Sequence, residues 1–296
     1  MNDIHDMLRD AMPGLPVPPW PLVGEGLWSS VHDLGDGTVL KLVRRQTSGL
    51  GSGVAIHRRE VLALAALDGL ATARVSVPAL VAEGAFDGGS CAGWLRVARL
   101  GGTAPREDRL VYADAATRDG FGERLGAAIA DFHAGATPLA SAAGSKLGDG
   151  IARGLTLARD RFSQPADHHA ADAVLAAWGE ECAKGPLVFA HGDVNLSNLL
   201  DAGRNAPLGF VDFAESGWSL AEADFRHLDA YGPLSDAVMR GYAARAGASP
   251  DRRRIALAAA ANALCTIAIE GASGHPREAI RRRGQLEHCL EAAGLP

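Results

Sequence analysis

The stretch His191-Gly192-Asp193-Val194-Asn195-Leu196-Ser197-Asn198 follows a short apolar run, Leu187 to Ala190. Nineteen residues beyond Asp193 a second acidic residue ends another apolar run, in Val211-Asp212-Phe213. Two carboxylates and an amide therefore sit on two loops at strand ends. Phosphoryl transfer asks for little covalent chemistry from a protein. It asks for a carboxylate that orients and deprotonates the attacking hydroxyl, and for oxygen ligands that hold magnesium against the phosphates. Asp193 and Asn198, five apart on one loop, place a base and an amide-oxygen ligand on opposite sides of a transferring group. Asp212 adds the hard carboxylate oxygen that suits magnesium.

Upstream the chain reads as short strands with one helix. Val23 to Val31, Thr38 to Val43, Val77 to Glu83 and Trp94 to Leu100 are strand candidates, with Gly35-Asp36-Gly37 as a hairpin turn between the first two. Arg58 to Leu70 carries Val61, Leu62, Leu64, Ala65 and Leu67 at amphipathic-helix spacing. After Gly101-Gly102 helical patterns dominate: 122–133, 172–182, 235–246, 252–269 and 277–293. Residues 134–150, rich in Ala, Gly and Ser, read as a loop or mobile connection. The expectation is an α+β chain of two lobes, with residues 1–99 a small β-rich N-lobe and residues 100–296 a larger, mostly helical C-lobe.

H-G-D-x-x-x-x-N followed by an apolar-Asp-Phe segment resembles the catalytic and metal-binding loops of the aminoglycoside phosphotransferase and choline kinase group. That group shares the protein-kinase fold. Protein kinases carry an arginine where this chain has Gly192, which points to the small-molecule branch, and Ala214 departs from their Asp-Phe-Gly. The resemblance implies ATP as phosphoryl donor, magnesium held by Asn198 and Asp212, and Asp193 as catalytic base. It implies that Lys41, in Val39-Leu40-Lys41-Leu42-Val43, orients the phosphates and is held by Glu60. It makes Val23 to Val31 a nucleotide-covering hairpin, with Gly26 letting backbone approach the phosphates and Ser29 and Ser30 donating to them. By position, the backbone of Ala98 and Leu100 binds adenine at the hinge. Ala221 to Arg226 is similar to the family's D-P-x-x-D-L segment without its Asp-Pro. Asp224 would brace the catalytic loop, and His133 reads as structural. The resemblance spans about Leu22 to Arg226.

The expected activity is phosphoryl transfer to a hydroxyl of a small molecule, an aminoglycoside-type antibiotic being the family's best-known acceptor. Choline, a sugar or another metabolite would need the same catalytic set. A non-catalytic pseudokinase is opposed by the presence of all five residues, Lys41, Glu60, Asp193, Asn198 and Asp212. A protein kinase is opposed by Gly192 and by the short segment from Asp212 to Asp224, which leaves little room for an activation loop.

Bulk composition agrees. The chain has 296 residues, 47% hydrophobic and 22% charged, an ordinary globular balance. Its net charge of −6, without a dense basic stripe, argues against a nucleic-acid partner. Cys91, Cys182, Cys265 and Cys289 are scattered and read as free thiols in a reducing cytosol. Asp3, Asp6, Arg9 and Asp10 interrupt any apolar leader, and Ile255 to Ile269 reads as a buried helix too short for a bilayer. A cytoplasmic location without a membrane partner is expected. Carboxylates at Glu215, Glu222, Asp224, Asp229, Asp236, Glu270 and Glu278 favour a cationic acceptor. Arg226, Arg277 and Arg281 would favour a neutral or anionic one.

Overall fold

The computed structural model of the protein describes residues 8–9, 11–12, 14–16, 19–46, 49–68, 70–273 and 276–296. Asp3, Asp6 and Asp10 lie outside them, as do the side chains of Asp229, Arg277 and Glu278.

The N-terminal half is built on strands β1 (Leu22–Glu25), β2 (Ser29–Asp33) and β3 (Thr38–Arg44), helix α1 (Gly53–Ala66), and strands β4 (Val75–Ser76), β5 (Leu80–Ala85) and β6 (Cys91–Ala98). Five of these strands form an antiparallel sheet in the order β1-β2-β3-β6-β5. Val23 to Val31, read from sequence as one strand, is two: the chain turns at Gly26, whose N–H donates to Ser29 O at 3.0 Å. The Gly35-Asp36-Gly37 turn joins β2 to β3 as expected, with positive φ at both glycines.

Helix α1 begins at Gly53, capped by Ser52, whose hydroxyl accepts from Ala55 N. This start, five residues ahead of the predicted one, shifts the buried face. The inward stripe is Ile56, His57, Glu60, Ala63, Leu64 and Leu67, while Leu62 is exposed. Glu60 thus belongs to the buried face by helical periodicity.

The C-terminal half continues with α2 (Glu107–Val111), α3 (Ala115–Ala142), α4 (Gly150–Arg159), α5 (Pro165–Lys184), β7 (Val188–Ala190), β8 (Leu199–Leu200), β9 (Leu208–Phe210), β10 (Gly217–Ser219), α6 (Pro233–Ala246), α7 (Arg252–Ser273) and α8 (Pro276–Ala293). Residues 134–150 are not a long loop. Helix α3 runs on through Pro138 to Ala142, because Ala136 and Ala140 continue its buried stripe below Phe132 and outweigh one lost backbone hydrogen bond. Helices α3 and α6 approach until a Cβ on Gly126 would lie 1.9 Å from Val238 O, so only glycine fits there.

Two small sheets position the chemistry. Strand β7 pairs with β10, and β8 pairs with β9. Strand β4, which lies within residues 1–99, pairs in parallel with β9 through Val75↔Leu208 and Ser76↔Gly209. The main core is likewise continuous, joining Val43, Ile56 and Leu64 to Leu125, Phe132, Phe210 and Phe213. The rings of Phe132, Phe210, Phe213 and His191 pack together at its centre.

A second core lies among α4, α5, α7 and α8. Helix α7 exceeds the predicted run. By length and composition Arg252–Gly271 is sufficient to cross a bilayer, yet 61% of its 18-residue apolar window is buried, with Leu257, Ala260, Ala263 and Leu264 inaccessible to solvent. None of the four cysteines forms a disulfide.

Replacing the fully buried Phe132 by Ala should cost about 3–5 kcal/mol, since it empties the junction of α3 with β9. Because the core is continuous, urea melts should still show one transition with a lowered midpoint.

Candidate active site

The loop after β7 is held from below by one carboxylate. Asp224, wholly inaccessible to solvent, accepts from His191 N (3.0 Å), Gly192 N (2.6 Å) and His133 Nε2 (2.8 Å). Tyr242 hydroxyl sits 3.1 Å from His133 Nδ1. Burial pushes the Asp224 carboxyl up, but the His133 hydrogen bond and charge and the loop N–H groups outweigh it, leaving it below its ordinary value. His133 is therefore structural, and Asp224 braces the loop.

Gly192 has φ +81°, and a Cβ on it would lie 2.4 Å from Glu215 O. The arginine of protein kinases has no room here. His191 is buried, which depresses its pKa and keeps the ring neutral. Its Nδ1 accepts from Asp193 N (3.2 Å) and its Nε2 donates to Val211 O (3.0 Å), tying the loop to the Asp212 segment.

Asp193 is the hub of the exposed side of the loop. Asn198 Nδ2 donates to Asp193 Oδ2 at 2.8 Å and to its backbone O at 3.0 Å. Committing the amide nitrogen leaves Asn198 Oδ1 for another partner. His227 Nε2 lies 2.6 Å from Asp193 Oδ1, and Arg226 Nη2 lies 3.4 Å from the same oxygen. Asn262 Nδ2 lies 3.4 Å from His227 Nδ1, and Arg226 Nε points at His227 Nε2 (3.2 Å), so the ring is held from both sides. Burial opposes ionisation of Asp193, but His227 and then Arg226 hold its carboxyl far below the usual carboxylate range.

Across the cleft, Lys41 Nζ lies 2.8 Å from Glu60 Oε1, 2.7 Å from Oε2 and 2.9 Å from Asp212 Oδ1. Burial penalises the ammonium, yet Asp212 and Glu60 outweigh it and keep Lys41 charged well above its ordinary pKa. Asp212 has φ 66°, a left-handed conformation that non-glycine residues rarely adopt and that clusters at functional sites. Val211 N donates to Asn198 O (3.0 Å), so Asn198 and Asp212 flank one hydrogen-bonded crossing.

The other expected residues divide. Residues directly opposite in an antiparallel pair share a face. Ser29 pairs with Val43 and Val31 with Lys41, so Ser29 faces the cleft side, buried. Ser30 pairs with Leu42 on the outer face, where its hydroxyl meets His32 Nε2 at 3.1 Å. The structure does not bring Ser30 to Lys41: the turn at Gly26 sets the alternation of β2. Ala98 ends β6, and its N–H is taken by Ala79 O (2.9 Å). Leu100 packs over Gly209.

Sequence reading missed His227, Arg59 and Arg153. Arg59 donates to Ala214 O (3.1 Å), Ser216 O (2.8 Å) and Gly148 O (3.4 Å). It ties α1 to the segment after Asp212. Arg153 on α4 bonds Glu215. Together with Asp193, Arg226 and His227 they line a cavity of about 270 Å³ between the hairpin tip, α1, α4 and α7. Of the carboxylates behind the cationic-acceptor expectation, Glu215 lines this cavity. Glu222 is buried against Asp251 N, Asp224 is the brace, and Asp236 pairs outside with Arg252.

A sequence profile of the phosphotransferase enzyme family matches residues 36–258 of the 296, and the chain belongs to that family. No curated protein matches it by sequence. Its fold is similar to that of APH(2″)-IIia solved with GDP and kanamycin, with a TM-score of 0.70 at 17% identity, covering 98% of this chain and 99% of that one. It is also similar to a choline/ethanolamine kinase family protein from Mesorhizobium loti (TM-score 0.61, 18% identity, 100% and 95% covered). A third similar structure is the macrolide 2′-phosphotransferase MphH from Brachybacterium faecium (0.60, 18%, 97% and 98%). These likenesses establish a mixed fold with an antiparallel N-terminal sheet and a helical C-terminal region.

A carboxyl held below its unfolded value of about 3.9 stabilises a fold fully above that pH and loses its contribution as pH falls through the lower folded value. Asp224→Asn should therefore lower stability at pH 7 by about 3 kcal/mol, through unpaired buried donors. The gap from wild type in thermal melts should close as pH drops below about 4.

Proposed function

We propose that this protein transfers the γ-phosphoryl group of ATP to a hydroxyl of a small molecule, with magnesium. The observation that carries this is the convergence of Asp193 and Asn198 with Asp212 and the buried Lys41–Glu60 pair at one cleft. The donor set suits magnesium: an amide oxygen left free by the orientation of Asn198, and a carboxylate in a constrained backbone. Asn198 and Asp212 would hold the ion, which would supply charge neutralisation to the phosphates.

The chain's own groups do the rest. Lys41, fixed by Glu60, orients the phosphates as a buried cation. The turn at Gly26 brings backbone over them, and the carbonyl of Ala98 and the backbone of Leu100 face the base at the hinge. Asp193 accepts the hydroxyl hydrogen. Because His227 and Arg226 depress its pKa, Asp193 is ionised at neutral pH and a weak base. Its larger role is then to aim the hydroxyl, which suits a loose transition state that needs little proton abstraction early on. A cytoplasmic setting accords with four cysteines outside any disulfide. The second reading of the acceptor is an amine-bearing antibiotic, favoured by similar structures solved with kanamycin and gentamicin. GTP is the alternative donor, since several similar structures hold GDP.

Asp193→Ala should reduce turnover by about 10²–10⁴-fold while nucleotide affinity stays within a few-fold of wild type, as read by ADP or GDP release and by titration calorimetry. Turnover close to wild type would remove Asp193 from the mechanism. Asp212→Ala should raise the magnesium concentration needed for half-maximal nucleotide binding; an unchanged magnesium titration would leave Asp212 a structural role.

A further inference from the structure

The cavity beside Asp193 has a charge balance at odds with a polycationic acceptor. Three guanidinium groups line it, Arg59, Arg153 and Arg226, against two carboxylates, Asp193 and Glu215. Arg226 is paired with Asp193, and Arg153 with Glu215. Arg59 is spent on three carbonyl oxygens, and among the described residues no carboxylate lies within ion-pair distance of it. Among the described lining residues guanidinium thus outnumbers carboxylate by one, with Glu215 and Asp149 acting on Arg59 only from beyond ion-pair distance. Arg153 Nη1 adds a second observation: it is buried and has no hydrogen-bond partner among the described residues. A buried donor without a partner is costly and rare in a native fold, and a bound ligand is one thing that satisfies it. Crowding of the cations also shows in Arg59, whose pKa is lowered to about 10 by burial and by the neighbouring Arg153. The opposite wall is apolar, with Leu27, Trp28, Ile56 and Leu157. At about 270 Å³ the space lies just below the range usual for drug-sized ligands, short of a multi-ring antibiotic.

Resting on the phosphotransferase reading above, we propose that the acceptor is a compact hydroxy acid. Its carboxylate is received by Arg153 beside Arg59, its hydrocarbon part lies against Trp28 and Leu157, and its hydroxyl is presented to Asp193. Phosphorylation forms an O–P bond on that hydroxyl, breaks the β–γ bridge of the nucleotide, and passes the hydroxyl proton by way of Asp193 to solvent. A carboxylate seated on Arg153 supplies the acceptor its orientation, and the like-charged guanidinium groups exclude amines.

The test is a release assay for ADP or GDP with three probe sets: hydroxy acids of about four to ten carbons, their methyl esters, and kanamycin. The expected result is a kcat/KM for acids about tenfold or more above their esters, falling with added salt, and no turnover of kanamycin. Arg153→Gln should raise KM for the acids by a similar factor, leave the esters nearly unchanged, and bind nucleotide as wild type does, which also serves as the folding control. Kanamycin turned over in preference to acids, esters as good as acids, or no acid turned over by nucleotide-loaded enzyme would each overturn the proposal while leaving phosphoryl transfer standing. Weakened nucleotide binding in Arg153→Gln without acceptor would assign that guanidinium to the phosphates and overturn it as well. Failure of wild type to bind magnesium-nucleotide at all would instead sink the phosphotransferase reading, and this inference with it.

Discussion

One buried carboxylate holds the site in shape. Asp224 has no access to water, and a lone ionised carboxylate in such a place would be prohibitively unfavourable. It is tolerated because two backbone N–H groups of the His191–Asn198 loop and the His133 ring converge on it. The dependence runs both ways. The loop's first turn takes its conformation from Asp224, with Gly192 driven to positive φ against Glu215 O, and Asp193 emerges from that turn already aimed. His191, sandwiched among Phe132, Phe210 and Phe213, carries the same constraint to the Asp212 segment through Val211 O.

Charge in the cleft is arranged so that each ionised group is fixed by another. Lys41 keeps its proton because Glu60 and Asp212 more than offset its burial. Asp193 loses its proton readily because His227 and Arg226 crowd one of its oxygens, while Asn198 holds the other. These fixed charges cost nothing further when charge moves during a reaction, the preorganisation that makes electrostatic stabilisation effective in a water-poor cleft.

What the sequence made legible follows the range of the contacts. The loop from His191 to Asn198 is a local object, and five-residue spacing with a following Asp-Phe was enough to read it. Glu60 was recognised by resemblance to known kinases and not by pattern, because the true start of α1 at Gly53 was not seen and the buried face was assigned to Leu62 and its neighbours. Ser30 was misplaced for a similar reason: alternation along a strand depends on where the turn ends, and one residue of phase puts a hydroxyl on the wrong side. Residues 134–150 looked like a loop by Ala, Gly and Ser content, yet the spacing of Ala136 and Ala140 continues α3. His227, Arg59 and Arg153 were invisible because their partners, Asp193, Ala214 and Glu215, lie 34, 155 and 62 residues away in sequence and only the assembled core brings them near.

The pairing of β4 with β9 has a mechanical meaning. It stitches a segment from the first hundred residues into the sheet that carries the Asp212 loop, on the side where Leu100 packs over Gly209. The two halves consequently cannot separate like parted plates. Leu27 and Trp28, at the tip of the β1–β2 hairpin, line the cavity beside Asp193. Arg59, reaching from α1 to Ala214, Ser216 and Gly148, adds a second stitch, so the two halves are sewn together at both the β4–β9 seam and the segment after Asp212.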